Sequence, residues 1–458
     1  MNKYDVIIVG AGCSGIFAAY ELINKSNKKV LMIEKGNSIK KRVCPKRKTN
    51  ICVNCNPCNI TTGFSGAGAF SDGKISLSPE VGGNLPEYIG YDKTQELIDY
   101  IDSIYLSFGA DKKIYGLDNN DKIKELKSKA IINNLKLIAC PVRHLGTEES
   151  YKIYTKIEEY LENKGVDLKF NTQVDDILIE DNNIKGVLVG NEKIYADNVI
   201  LSVGREGSEW LRDICNKNNM ISEPSTVDIG VRVEVRNEVM EDINKYLYEG
   251  KFLYNSKTFD DKVRTFCQNP SGEVSIERYD DLITVNGHSY KNSKTENTNV
   301  ALLVSKHFTQ PFKDSIGYAK SIAKLANMLG DGKIIVQRYE DFKRGRRTTH
   351  DRLYRGNIVP TLKDAEPGDL ALVLPYRIIK DIEEMIEALN GVAPGFSSSE
   401  TLLYGVECKL YNNKVKVNNN FETDVKGLFA IGDGAGITRG IAQANSNGVY
   451  VANYIISK

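Results

Sequence analysis

Residues 4–15 read YDVIIVGAGCSG, and residues 423–436 read TDVKGLFAIGDGAG. In the first stretch an apolar run at 6–9 meets Gly10, Gly12 and Gly15 and opens into a helix-forming segment that continues to about residue 24. A second apolar run at 30–33 closes on Glu34. Strand, G-x-G-x-x-G turn, helix, and a second strand ended by a carboxylate are the parts of a dinucleotide-binding βαβ unit. Gly10 permits the tight turn, Gly12 lets a pyrophosphate reach the backbone, and Gly15 allows the helix to pack closely on the strand. The helix N-terminus then faces the phosphate charge. Glu34 is placed to accept hydrogen bonds from the adenosine ribose hydroxyls and to repel a 2′-phosphate.

NAD and FAD fit that unit equally well, and the C-terminal stretch separates them. Its run GLFAIGD, 427–433, resembles the second FAD motif of the glutathione-reductase-like flavoproteins, which implies that Gly432 and Asp433 reach the ribityl chain. Gly440, Ile441 and Ala442 then start a helix whose positive end would face the flavin pyrimidine edge. The segment ADNVILSVG, 196–204, resembles the middle strand-to-glycine motif of the same class and adds Gly204. Ser14, Lys35 and Val174 complete the expected cofactor-binding set. No second G-x-G-x-x-G has its own acidic partner, because 63–68 (GFSGAG) lacks a preceding apolar strand. A built-in nicotinamide domain is therefore not expected, and electrons would come from transiently docked nicotinamide, from the substrate, or from a carrier protein.

The chain of 458 residues is 41% hydrophobic and 26% charged with a net charge of +1, which fits a soluble globular protein and gives no global field for nucleic acid or an anionic membrane. The apolar stretch 6–22 is broken by glycines and follows no cationic signal region, so it reads neither as an export signal nor as a membrane span. Nine cysteines in such a chain suggest reduced thiols, metal ligands or redox chemistry, and a cytoplasmic location.

The expected fold class is α/β. A split Rossmann-like FAD-binding domain, residues 1–209 and 406–458, is interrupted by an inserted α+β substrate domain, residues 210–405. Within the first part, 43–83 is a Cys-, Gly-, Pro- and Ser-rich loop. Its glycine-rich portion, 61–74 (TTGFSGAGAFSDGK), is expected over the isoalloxazine or pyrophosphate through Gly66 and Gly68.

Cys44, Cys52, Cys55 and Cys58 are spaced C-x₇-C-x₂-C-x₂-C. That spacing suits an iron–sulfur cluster, structural zinc, a flavin-coupled dithiol at Cys52 and Cys55, or unliganded thiols. The surrounding Lys40, Lys41, Arg42, Lys46, Arg47 and Lys48 would offset thiolate charge or dock an acidic electron carrier, or simply form a solvated loop. In the inserted region, 343–350 (KRGRRTTH) concentrates Arg344, Arg346 and Arg347, a pattern suited to bidentate binding of a substrate carboxylate or phosphate, or to a basic surface turn. His288 and Tyr290, in NGHSY at 286–290, are candidate proton donors during hydride transfer.

The runs CVNCNPCNITTGFSGAGAFSDGK (52–74), SVGREGSEWL (202–211), DIGVRVE (228–234), NGHSY, GRRTT, PGFSSSETLLYGVE (394–407) and GLFAIGDGAGITRGIAQA (427–444) together resemble the bacterial FAD-dependent dehydrogenases whose substrate is unassigned. That resemblance implies FAD at the positions above and a family-specific C-terminal domain, without supplying a reaction. The expected function is hydride transfer between flavin and an organic, anionic small molecule, with electrons relayed through the four-cysteine site. Two alternatives stand beside it: a thiol–disulfide oxidoreductase using Cys52 and Cys55, and a non-catalytic flavin-binding interaction protein.

Overall fold

The computed structural model describes residues 3–45, 53, 55–70, 73–117, 119–223, 225–247, 249–279, 282–289, 294–410 and 413–458. They fall into two compact units, 1–115 with 141–223 and 412–458, and 116–140 with 224–411.

The first unit is built on one sheet in the order Asp167–Lys169, Val30–Ile33, Lys3–Val9, Glu192–Leu201, Asn183–Val189, Asp176–Glu180; Leu428–Ala430 also pairs with Glu192–Leu201. Pairing is parallel from Asp167–Lys169 through Glu192–Leu201, and the C-terminal strand joins in parallel as well. Val30–Ile33, Leu428–Ala430 and the last residues of Lys3–Val9 and Glu192–Leu201 are continuously apolar and buried, as parallel strands covered on both faces are. Val9 pairs with both Ile33 and Leu201, and Leu201 with Ala430. Four parallel strands therefore end at one level, so that Gly10, Glu34, Ser202 and Ile431 leave the sheet along one edge. That edge is where open α/β sheets bind ligands.

Behind the sheet the first helix, Cys13–Lys25, packs on the last, Ile441–Ser457. Their approach is limited at Gly448, where a Cβ would lie 2.0 Å from the Ser14 carbonyl oxygen. No described helix is long and apolar enough to cross a membrane.

The second unit has an eight-stranded sheet, Glu366–Pro367, Ile335–Arg338, Leu402–Leu410, Val227–Arg236, Asn297–Lys306, Lys262–Asn269, Lys251–Asn255, Leu135–Ile138, which is antiparallel except at its first pair. A hairpin, Glu273–Tyr279 with Leu282–His288, accompanies it. Along the central strand Val227, Ile229, Val231, Val233 and Val235 enter an apolar core with Met240, Ile378 and Ile382, while Asp228, Arg232 and Glu234 are buried on the opposite face. The period of two in DIGVRVE thus separates an apolar layer from a polar one.

The units differ from the expected boundaries at 209/210 and 405/406. Residues 116–140 join the second unit because Leu135–Ile138 pairs antiparallel with Lys251–Asn255. Residues 210–223 stay with the first, where Ser222–Glu223 pairs with Lys414–Val415.

Substituting Gly448→Val should destabilise the first unit by about 2 kcal/mol, the usual scale of overpacking a tight contact. Urea unfolding followed by tryptophan fluorescence and circular dichroism should show the loss, and a variant as stable as the parent would contradict the helix contact.

Candidate dinucleotide and substrate sites

The glycine turn is held from beneath by Ser202, whose hydroxyl donates to the Val9 carbonyl at 3.0 Å and to the Gly10 carbonyl at 2.8 Å. Gly10 has φ of +100°, and a Cβ there would meet the Ser202 carbonyl at 2.9 Å. At Gly15 a Cβ would lie 2.3 Å from the Gly10 carbonyl, so the helix could not pack so closely. Gly12 is different, because its Cβ would approach only the Ser202 carbonyl, at an ordinary 3.8 Å. The protein alone places no steric demand for glycine there. The open space beside Gly12 is a cradle that a Cβ would fill, on the side from which a phosphate reaches the backbone.

Gly12 caps Cys13–Lys25, and Gly440 caps Ile441–Ser457, in both cases without a side-chain cap or a first-turn acid. Neither helix carries an acid in its own first turn to offset its positive end. Gly432, with φ of +79°, donates its N–H to Asn447 Oδ1 at 3.0 Å, and a Cβ on it would crowd Ser14 Oγ at 2.6 Å. Ser14, Gly432, Ile441 and Ala442 are thereby gathered beside the glycine turn. Asp433 accepts from the Thr438 hydroxyl at 2.7 Å.

Glu34 is buried and accepts the N–H of Ala11 and that of Gly36, each at 2.8 Å. One acceptor position of each carboxylate oxygen is used, which leaves others for ribose hydroxyls. Thr172 N–H donates to the Glu34 carbonyl at 3.0 Å, which brings buried Val174 to the same edge. Lys35 lies 3.6 Å from Glu206 in the turn that follows Gly204. The 61–70 loop docks on the glycine turn, with Ser65 N–H donating to the Ala11 carbonyl at 2.8 Å. A Cβ on Gly66 would lie 3.7 Å from Gly12 Cα, and one on Gly68 would lie 3.0 Å from Cys13 Sγ. The cradle, the two uncapped helix ends and the buried acceptor together fit a dinucleotide of FAD type.

A chain of polar groups under this site was not anticipated from the sequence. Cys13 Sγ meets the Tyr154 hydroxyl at 3.3 Å, Tyr154 meets the Tyr105 hydroxyl at 2.7 Å, and Tyr105 meets the Asn445 amide at 2.7 Å. Burial pushes the Cys13 thiol up to about 11, so it stays a neutral thiol at neutral pH. Tyr105 and Tyr154 gave no sequence signal beyond their place on helices.

Among the cysteines of the C-x₇-C-x₂-C-x₂-C run, Cys44 and Cys55 are partly exposed and Cys58 is exposed, while Cys52 lies outside the described residues. No three His, Cys, Asp or Glu among the described residues are grouped as metal ligands. Desolvation opposes charge on Cys58, but the Ile60 and Thr61 amides and the Thr61 hydroxyl outweigh it and lower the thiol's pKa. Arg42, read as part of a solvated basic run, is instead buried and caged by carbonyl groups of 59–64. Lys46, Arg47 and Lys48 lie outside the described residues.

In the second unit the KRGRRTTH run is cross-linked by its own neighbourhood. Arg346 pairs with fully buried Asp341 at 2.6 Å, Arg344 with Glu340 at 2.6 Å, and Arg347 with Glu366 at 3.5 Å. Thr348 donates its hydroxyl to Asp341 at 2.9 Å. The three guanidiniums therefore do not form an unpaired anion clamp: Arg346 is tied to a buried carboxylate, whereas the exposed pairs of Arg344 and Arg347 are weak enough to exchange. His288 is exposed at the end of its hairpin strand, and Tyr290 lies outside the described residues.

The strongest polar feature here is Arg232, which is fully buried. It forms a bidentate pair with fully buried Glu407, Nε to Oε2 at 2.8 Å and Nη2 to Oε1 at 2.7 Å, and donates through Nη1 to the Cys267 carbonyl and to Asn299 Oδ1. Gly287 is required beside it, since a Cβ would sit 2.3 Å from Arg232 Nη1. The motifs DIGVRVE, NGHSY and LLYGVE thus converge on one buried ion pair.

Residues 226–410 match the family described as FAD-dependent protein, C-terminal domain-like. The chain is similar over its full length to an uncharacterised protein of Clostridium beijerinckii, with 26% identity over 479 aligned positions and 81% of that protein covered. It is 30% identical over 100 residues to a D-amino acid dehydrogenase of Helicobacter pylori, a match to 20% of this chain and 24% of that one. Against the crystal structure of glycine oxidase from Geobacillus kaustophilus it has 12% identity and a TM-score of 0.39, covering all of this chain and 96% of that one.

Removing one partner of the buried pair should cost about 3–5 kcal/mol. Arg232→Met and Glu407→Gln should each lower the urea midpoint accordingly, and the double variant should recover part of the loss. Additive losses in the double variant would show that the two side chains are not paired.

Proposed function

We propose that this chain, which belongs to the FAD-dependent oxidoreductases, holds FAD at the glycine edge of its first unit and exchanges hydride with an organic anion. Bound there, FAD would supply two-electron chemistry at its isoalloxazine ring. The observation that carries this reading is Gly12, whose Cβ would meet nothing nearer than the Ser202 carbonyl at 3.8 Å, at the start of a helix with no acid in its first turn. The chain's own contributions follow from the geometry. Backbone amides at the start of Cys13–Lys25 receive the pyrophosphate, Glu34 orients the adenosine ribose, and the positive end of Ile441–Ser457 favours negative charge on the bound ring.

For the substrate, Arg344 and Arg347 are the residues we assign to an anionic group, supported by their exposure and their exchangeable surface ion pairs. Arg346 would brace that turn through Asp341. His288 and Tyr290 are assigned as proton carriers on the strength of their chemistry. Amino acids are the first substrate class to screen, because the H. pylori protein similar over 100 residues is a D-amino acid dehydrogenase.

A second reading is favoured by one observation, the lowered thiol of exposed Cys58. It assigns Cys44, Cys52, Cys55 and Cys58 to an electron relay fed by a carrier protein, through an iron–sulfur cluster or a Cys52/Cys55 dithiol, or else to a structural zinc site that carries no electrons. Anaerobic purification with iron, zinc and sulfide analysis, together with dithiol reduction of a Cys55→Ser variant, decides it: iron with matching sulfide supports the cluster, zinc alone leaves a structural site, and metal-free protein whose variant behaves as the parent removes the relay.

The flavin assignment is tested by the absorption spectrum and by the stoichiometry of flavin released on denaturation. The parent should carry or take up about one FAD per chain. Gly12→Ala should keep its unfolding free energy within about 0.5 kcal/mol, as at sites without a clash, yet bind FAD at least about tenfold more weakly, since the new methyl occupies the phosphate approach. A parent that takes up no FAD, or a Gly12→Ala variant that binds it equally well, contradicts the assignment.

A further inference from the structure

Arg42 is 3% exposed, and among the described residues its hydrogen bonds go to neutral acceptors. Nε donates to the Asn59 carbonyl at 2.9 Å, Nη1 to the Phe64 carbonyl at 2.6 Å and the Ser65 hydroxyl at 3.3 Å, and Nη2 to the Ile60 carbonyl at 2.7 Å. The Phe70 ring covers it, with the centroid 4.5 Å from the guanidinium carbon. Among the described residues no carboxylate forms an ion pair with it, unlike buried Arg143 and Arg232, which meet Asp102 and Glu407. Burial lowers its pKa to about 10, opposed at longer range by Glu34 first among the acids. A buried cation held by neutral acceptors, with no carboxylate in direct contact among the described residues, is only partly compensated, and a nearby anion would complete it.

The place of that missing anion follows from the loop. Ser65, whose hydroxyl accepts from Arg42, donates its N–H to the Ala11 carbonyl inside the glycine turn, and Gly66 comes up to Gly12. The guanidinium therefore stands one residue behind the cradle that receives phosphate. Its carbonyl cage also fixes the loop that forms the cradle's far wall.

We infer that Arg42 is the positioning residue of the cofactor site, supplying the buried positive charge that a dinucleotide pyrophosphate completes while clamping 59–65 against the glycine turn. This rests on the reading that FAD binds at that turn. Arg42 acts through Ser65 and through its field, and needs no direct contact with the cofactor. In this account the apoprotein carries a partly compensated charge that binding relieves, so recognition depends on the phosphates more than on the adenosine.

The test compares FAD, ADP and adenosine as ligands of the full-length apoprotein by titration calorimetry and competition, at two salt concentrations. Arg42→Gln should lose FAD and ADP affinity by about tenfold or more, the scale of one lost charge-assisted interaction, and should bind adenosine within about twofold of the parent. The salt dependence of ADP binding should also flatten, because one cation has been removed. Arg42→Lys keeps the charge and should retain more ADP affinity than Arg42→Gln; it also serves if Arg42→Gln does not fold. Equal losses for ADP and adenosine would reduce Arg42 to a loop clamp and overturn the inference, as would unchanged ADP affinity. A parent that binds neither FAD nor ADP would instead sink the functional reading itself.

Discussion

The site depends on four parallel strands stopping at the same level. Because Val9, Ile33, Leu201 and Ala430 lie in register, the chain leaves the sheet at Gly10, Glu34, Ser202 and Ile431 along a single edge. Each exit then does a different job there: a glycine turn, a buried carboxylate, a hydroxyl that braces the turn, and a second glycine beside Ser14. The apolar runs end together at this level, so a shift of any strand along its length would draw polar residues under the covered part of the sheet and push apolar ones beyond it. The arrangement of chemical groups is therefore inherited from hydrophobic packing. The close pass of two helices at Gly448 completes it by bringing the N-termini of Cys13–Lys25 and Ile441–Ser457 to the same edge.

Around that edge the first unit gathers positive groups beside two carboxylates, Asp433 and buried Glu34. Two helix ends are left without acidic caps, and a buried guanidinium sits in a cage of carbonyls. Proteins usually satisfy such groups within the fold, as Arg232 and Glu407 do in the second unit. Helix ends without an acidic first turn, beside a guanidinium held by neutral acceptors, contrast with the closed pairs Arg232–Glu407 and Arg143–Asp102 and suit an anionic group.

Much of the first unit was legible because its signals are local. The spacing of Gly10, Gly12, Gly15 and Glu34 spans one βαβ unit, and the backbone demands there, a φ of +100° or a 2.3 Å approach, can be met only by particular residues. What escaped the sequence was set by distant partners. Arg42 looked like one more exposed cation in a basic run, since nothing near it in the chain announces a cage built from residues 59–65. Arg344, Arg346 and Arg347 read as an anion site or a basic surface turn; the pairs to Glu340 and Asp341 are local, and only Glu366 is brought to Arg347 from further along the chain. Residues 116–140 could not be assigned without the pairing of Leu135–Ile138 to a strand more than a hundred positions away. DIGVRVE showed its alternation plainly, but not that both faces would be buried.

The central claim is that one edge, made of 10–15, 61–70 and 432–442, receives FAD. Differential hydrogen–deuterium exchange of the apoprotein with and without added FAD measures it directly. The account predicts slowed amide exchange concentrated in those three segments and around Glu34. Protection elsewhere with these segments unchanged, or no protection at saturating FAD, would contradict it.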